Sequence, residues 1–225
     1  MTGYFVDTLN VKEKFKIGDE ILAINGVKIP DLIKKYLQIT PASNYDTQLR
    51  DLPRDYFLRS NETTTSFTLK SNNKTTEQST ALINYTLAYK NIEYTKPTSF
   101  YLINPSIGYV YPGKYKNTEL PTIQKEFENT KGIIIDMRCY PSDFMPFTFG
   151  NYIKDKSSPF VKFTSGNPTY PGSFTYGPPL SNGGTKGSNY KGKVVVIVNS
   201  TSQSQAEYTT MAFQSSPNVK VIGST

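Results

Sequence analysis

The sequence predicts two domains in series: an α+β module over residues 1–95, then an α/β core over 100–225 built on a mainly parallel sheet. Three observations carry that expectation. Early in the chain, Asn25-Gly26 sits between two apolar runs, the signal of a two-residue β-hairpin. From Ile103 onward the rhythm becomes strand, helix, strand, helix, which implies parallel strands covered by helices. Near the end, Lys193–Phe213 (KVVVIVNSTSQSQAEYTTMAF) joins an unbroken β-branched run to a polar turn and a helical stretch.

Composition bounds the function classes. The 225 residues are 36% hydrophobic and 19% charged, enough apolar content to form cores. The formal net charge of +7 raises the question of nucleic acid. However, Lys12, Lys14, Lys16, Lys34, Lys35, Lys90, Lys154, Lys186 and Lys191 are scattered, and no zinc-finger, RRM or KH signature accompanies them. They read as solvated basic surface, and no nucleic-acid partner is expected. Cys139 is the only cysteine, so an intrachain disulfide and a cysteine-rich metal site are excluded. No apolar run is long enough to span a membrane, and no signal peptide is visible. Val221 to Thr225 stops just after a strand-like run, so the chain is expected to be a fragment, continuing at both ends.

Taken in order, residues 4–9 alternate weakly as a strand. Gly18-Asp19 turns the chain into a strand ending at Asn25-Gly26, and a second strand follows. Pro30–Leu37 reads as a helix, with Pro30 suited to its first turn. Pro41–Asn44 breaks it, and Tyr45–Leu58 is a second helix interrupted at Pro53. Ser66–Lys70 is a strand, Ser71–Ser79 a surface hairpin or loop, Leu82–Tyr89 an alternating segment, and Tyr94–Thr98 a linker.

In the second half, Ile107–Tyr111 is a strand. Thr118 caps a helix that carries Leu120, Ile123 and Phe127 on one face. Gly132–Arg138 is a buried strand, and Asp143–Ile153 includes a short aromatic helix bent around Pro146 and Gly150. Ser157–Tyr190 is a long loop, and loops of that length are functional or carry small elements of their own. Its Tyr170, Phe174 and Tyr176 either line an apolar substrate groove or cover the core edge. Val194–Val198 and Val219–Ile222 are strands, with Ala206, Met211 and Phe213 sharing a face of the helix between them.

Ser204 stands where a strand–turn–helix junction projects a side chain at the carboxyl end of a parallel sheet. Ser204-Gln205-Ala206-Glu207 also fits a capping box, so spacing alone admits either a cap or a nucleophile. With no histidine in the sequence, a Ser-His-Asp triad is impossible, and a serine nucleophile needs another base.

Gly18-Asp19, Ile21, Leu22, Ile24, Asn25 and Gly26 resemble the core of a PDZ domain whose first strand and carboxylate-binding loop would lie before Met1. Ser106-Ile107-Gly108-Tyr109-Val110, Gly132–Arg138 with its Asp136-Met137-Arg138 end, and Val198-Asn199 through Ser204–Glu207 with Val221-Ile222-Gly223 follow in order. Together they resemble the C-terminal processing (tail-specific) serine peptidases, and Thr209-Thr210-Met211 is similar to a Bacteroidetes-type branch.

That resemblance implies a PDZ-like peptide-binding module followed by a ClpP/crotonase-like protease core, a polypeptide or its C-terminal tail as substrate, no cofactor, and a place in the bacterial envelope or periplasm. It implies Ser204 as nucleophile and Glu207 as the glutamate that orients the site. The oxyanion donors would be the backbone N–H of Gln205 and one from the turn after the Asp-Met-Arg strand, at Ser142 or Asp143. This sequence has Cys139-Tyr140-Pro141-Ser142-Asp143 where the family shows Asn-x-Gly-Gly, which would bring a carboxylate near the oxyanion. Arg138 pairs with Asp136 or Glu207, in a structural or a catalytic role. The family's base is a lysine about two dozen residues past the serine, a position beyond Thr225; Lys220 reads as a solvent-side strand residue. A catalytically inactive peptide-binding protein is the alternative, and a crotonase-like acyl-CoA enzyme leaves the PDZ-like segment unexplained.

Overall fold

The computed structural model describes residues 14–84, 98–184 and 189–224. The expected strand at 4–9, most of the Leu82–Tyr89 segment and all but the last residue of the Tyr94–Thr98 linker lie outside them. The chain forms two compact units, Met1–Thr95 and Lys96–Thr225.

The first unit is an antiparallel sheet with helices. Strand β1 (Glu20–Ile24) turns through Asn25 (φ 48°) and Gly26 (φ 75°) into β2 (Val27–Lys28), with Ile24 opposite Val27. Two consecutive left-handed residues make the turn whose twist matches that of the strands, which is why Asn-Gly occupies it. The Asn25 side chain then accepts from Ser66 N at 2.8 Å, pinning the hairpin to β3 (Thr64–Ser71).

A second two-residue turn, Asn72-Asn73, leads from β3 into β4 (Lys74–Ala81); the Ser71–Ser79 segment is thus the hairpin, and the sheet order is β2-β1-β3-β4. Helix α1 (Ile29–Tyr36) begins with Pro30 in its first turn. Helix α2 (Tyr45–Leu52) is capped by the Asn44 side chain, which accepts from Thr47 N at 2.9 Å. At Pro53, which has no N–H to give, the helix widens by one residue per turn, with Leu58 N donating to Pro53 O at 3.0 Å. Phe15, Ile24, Leu32, Leu52, Phe57, Phe67 and Leu69 form its core.

The second unit holds a five-stranded sheet in the order β13-β12-β7-β6-β5. Four neighbours are parallel: β6 (Ile107–Val110), β7 (Gly132–Asp136), β12 (Lys193–Val198) and β13 (Val219–Gly223). Strand β5 (Phe100–Asn104) joins β6 antiparallel at the edge, so the sheet is mixed. The central runs are apolar on both faces, as strands covered on both sides must be. Ile133, Ile135, Val194 and Val196 pack with Ile123, Phe127, Phe149 and Phe213, while Tyr109, Tyr111 and Cys139 form a smaller cluster. At Gly108 a Cβ would lie 2.7 Å from the Phe127 ring, so only glycine lets helix α3 (Leu120–Glu126) approach the sheet.

Two local expectations are corrected, and a third is made specific. Thr118 does not cap α3; it lies inside a 3-10 turn (Asn117–Glu119), and Glu119 takes the capping role by accepting from Lys116 N at 2.6 Å. Met211 does not share the buried face of helix α5 (Gln205–Gln214). At 100° per residue it lies about 140° from Ala206, while Phe213 returns to within about 20°; accordingly Met211 is 42% exposed and the other two are buried. The long segment before β12 follows the short helix α4 (Phe149–Tyr152) and folds into two antiparallel ribbons. These pair β8 (Ser158–Val161) with β11 (Leu180–Asn182), and β9 (Thr164–Gly166) with β10 (Phe174–Tyr176).

Candidate active site

The site forms where two neighbouring parallel strands, β7 and β12, end. Past β12, Asn199 closes a turn by accepting from Thr201 N at 3.0 Å. The Ser202 hydroxyl accepts from Asn199 N at 3.1 Å and donates to Met137 O at 2.8 Å. One side chain thereby fastens the turn after β12 to the first residue past β7. Ser204 follows with φ 53° and ψ −110°, a left-handed backbone that glycine normally occupies. Its N–H donates to Glu207 Oε2 at 2.7 Å, and Tyr208 N donates to Ser204 O at 2.9 Å, the first bond of α5. The carboxylate half of the capping box is therefore made, and Ser204 is exposed at a sharp strand-to-helix turn. Gln205 is the first residue of α5, and its N–H is one that a helix leaves without an internal acceptor.

The segment after β7 meets this turn directly. Gln205 Nε2 donates to Asp143 O at 2.8 Å, bringing together the two stretches that the oxyanion expectation required to be neighbours. Ser142, however, is withdrawn as a donor. Its N–H is committed to Pro112 O at 2.9 Å and its hydroxyl to Tyr115 O at 2.6 Å, because it anchors this segment to the 112–115 loop. Asp143 N has no hydrogen-bond partner among the described residues.

The expected clash between the Asp143 carboxylate and an oxyanion does not arise. Oδ2 accepts from Asn117 N at 2.8 Å and Oδ1 from Lys116 Nζ at 3.2 Å. These donors, Asn117 N first, hold the carboxyl below its usual range.

Arg138 pairs with Asp136, Nε to Oδ1 at 2.8 Å and Nη2 to Oδ2 at 2.9 Å. Asp136 is 1% exposed and also accepts from Tyr109 OH at 2.6 Å. Burial, then this bond, drives the Tyr109 hydroxyl far above its ordinary range, so it stays a neutral donor. This network makes the β7 end rigid; it contains neither Ser204 nor Glu207.

No lysine among the described residues hydrogen-bonds to Ser204. Lys220 is exposed on β13, opposite Val195. Lys154, expected on the solvated surface, is 2% exposed instead. Its Nζ donates to Ser215 Oγ at 2.6 Å, Asn182 Oδ1 at 2.8 Å and Ser158 O at 3.1 Å, at the far end of α5 from Ser204. A cation suits a helix C-terminus, and the two side-chain partners, 28 and 61 residues away, leave no local signal in the sequence.

Tyr170, Phe174 and Tyr176 are 69%, 65% and 76% exposed on the β9–β10 ribbon, neither covering the core edge nor touching one another's rings. The rings that do gather beside the serine turn are Phe144, Phe147, Phe160, Phe163 and Tyr208. Sequence periodicity misses this cluster because its members come from three separate segments. Among the described residues no group of histidine, cysteine or carboxylate side chains is placed to hold a metal ion, and no helix is long and apolar enough to cross a membrane.

Residues 151–225 match the model of Peptidase family S41, which agrees with the resemblance to the C-terminal processing peptidases. Mature CPAF is similar in structure: TM-score 0.63, 12% identity, covering 97% of this chain and 65% of that one. Mature CPAF complexed with lactacystin gives TM-score 0.61, 12% identity, and coverage of 92% and 64%. The photosystem II D1 C-terminal processing protease gives TM-score 0.44 at 14% identity, with coverage of 95% and 53%. At these identities the likeness is one of fold. The chain spans about two thirds of the length of the CPAF structures it matches. No curated protein sequence is similar enough to count as a relative.

Proposed function

We propose that the chain is a serine-type peptidase that cleaves polypeptides through an acyl-enzyme at Ser204, a reading supported by the match of residues 151–225 to Peptidase family S41. The observation that carries the reading is the backbone of Ser204. A non-glycine residue held at φ 53°, ψ −110° on a strand-to-helix turn is strained, and such strain persists where a fold must present one side chain.

In the proposed reaction Ser204 Oγ attacks the scissile carbonyl carbon and gives its proton to a general base. The carbonyl oxygen becomes an oxyanion facing the N–H groups of Gln205 and Asp143. The C–N bond then breaks, the amine leaves with the proton from the base, and an ester remains on Ser204. Water, activated by the same base, hydrolyses that ester. Glu207, bonded to Ser204 N, orients the turn. The resemblance implies a lysine as that base, and none of the lysines hydrogen-bonded among the described residues takes the role. Residues 1–95 act as a PDZ-like module that recognises the substrate's tail, residues 100–225 are the peptidase core, and the protein works in the bacterial envelope or periplasm.

The test is a fluorophosphonate probe on the full-length protein. Labelling and turnover of a polypeptide are both expected, and both disappear in Ser204→Ala. Labelling that survives Ser204→Ala sinks the assignment. Peptide binding with neither labelling nor turnover favours the alternative, a peptide-binding protein on a peptidase-like core. That alternative draws on the absence of any lysine hydrogen bond to Ser204 among the described residues.

A further inference from the structure

The five rings beside Ser204 form an unusual surface. Tyr208 follows Ser204 by one helical turn, and Phe144 follows Asp143, whose carbonyl holds the Gln205 side chain. The cluster therefore grows from the same two segments that build the site. Tyr208 stacks on Phe144 (centroids 5.6 Å apart, 22° between planes) and on Phe163 (5.9 Å, 21°), with Phe160 edge-on at 5.3 Å. Phe147 bridges Phe144 and Phe160 at 5.9 and 6.0 Å.

These rings pack on one another yet stay open to solvent: Phe144 is 48%, Phe147 39% and Phe163 54% exposed. A contiguous apolar patch left in water marks a contact surface. Tyr208 OH has no hydrogen-bond partner among the described residues, and burial holds its acidity below the ordinary, so it remains a neutral donor at the patch. The two carboxylates next in sequence to the patch are engaged elsewhere: Asp143 with Asn117 and Lys116, Glu207 with Ser204 N. What remains is an aromatic platform with one polar tip.

We infer that Phe144, Phe147, Phe160, Phe163 and Tyr208 form the subsite that takes an aromatic or large aliphatic side chain of the polypeptide, at a residue flanking the bond attacked by Ser204. The inference rests on the peptidase reading. Successive residues of an extended peptide are about 3.3 Å apart, so a chain whose carbonyl lies at Ser204 lays its next side chains over rings that begin one helical turn away. Aromatic pairs favour centroid separations of 4.5–7 Å, which the open faces of Phe144 and Phe163 offer to an incoming ring.

The experiment measures binding apart from catalysis. In the Ser204→Ala form of the full-length protein, two hexapeptides identical except for a central Phe or Gly are titrated by calorimetry. The Phe peptide is expected to bind about tenfold more tightly. Phe144→Ala in the same background should bring the two affinities within about threefold, given the share of one ring in such a contact. Phe174→Ala, on the β9–β10 ribbon, should leave the ratio unchanged. Equal affinity for the two peptides, including no binding of either, overturns the subsite. So does a preference that survives Phe144→Ala, or one that is lost in Phe174→Ala. Phosphonate labelling of the protein with Ser204 intact reports separately on the nucleophile. Labelling without the preference overturns the subsite alone, whereas the preference without labelling keeps the rings as a peptide-binding surface and overturns the peptidase reading.

Discussion

Ser204→Gly is expected to stabilise the core unit while removing the nucleophile. At φ 53°, ψ −110° the Ser204 Cβ crowds its own backbone, and such conformations cost roughly 1–3 kcal/mol in a non-glycine residue. Glycine removes that strain, but its freer unfolded chain returns about 0.4–1 kcal/mol. The bond from residue 204 N to Glu207 survives, because it belongs to the backbone. The net expectation is a gain of about 0.5–2 kcal/mol.

Ser204→Ala keeps the Cβ and therefore the strain, so it should not share the gain. Urea unfolding reads the difference: at a slope of about 2 kcal/mol/M, the midpoint of Ser204→Gly should rise by roughly 0.3–1 M with the slope unchanged. If Ser204→Gly is no more stable than Ser204→Ala, the turn is not strained and the argument from backbone geometry collapses.

Other expectations follow from single contacts. Gly108→Ala drives a Cβ to within 2.7 Å of the Phe127 ring, a packed core position, and should lower stability by about 1–3 kcal/mol in denaturant titration. Lys154→Met leaves the acceptors on Asn182, Ser215 and Ser158 without their donor and should cost about 1–3 kcal/mol.

The same lysine sets a pH dependence. Burial lowers its pKa below 10.5 in the folded state, so between the folded value and 10.5 the unfolded chain binds more protons. Stability should therefore rise with pH across that alkaline window, the burial penalty being fully present below it, and Lys154→Met should flatten the rise. Asp136→Asn removes the charge shared by Arg138 and Tyr109. It should destabilise the core by about 1–3 kcal/mol in thermal melts, and it should lower the alkaline titration midpoint of Tyr109.

Much of this architecture was legible because it is local. The Asn25-Gly26 turn, the Pro30 helix start and the β-branched runs at β7 and β12 are each fixed by residues within a few positions of one another. The order of the strings around Gly108, Asp136 and Ser204 likewise carries the resemblance to the C-terminal processing peptidases, and the family model matches from residue 151 onward.

What could not be read depends on partners distant in sequence. Ser142 is anchored by Pro112 and Tyr115, which removes a donor that spacing had offered. The Asp143 carboxylate is held by Asn117 N and Lys116 Nζ, twenty-six and twenty-seven residues earlier. Lys154 is buried with acceptors on Asn182 and Ser215, and the aromatic cluster unites Phe144, Phe160 and Tyr208 only after the long segment before β12 folds back. Met211 is a different case: the helical angle was available, and it places the residue away from Ala206.

Acid-quenched mass spectrometry during turnover of a peptide tests the central claim most directly. The full-length protein should carry an ester of the substrate's acyl half on Ser204, located by fragmentation and absent in Ser204→Ala. Turnover without any adduct at Ser204, or with the adduct on another residue, would contradict it.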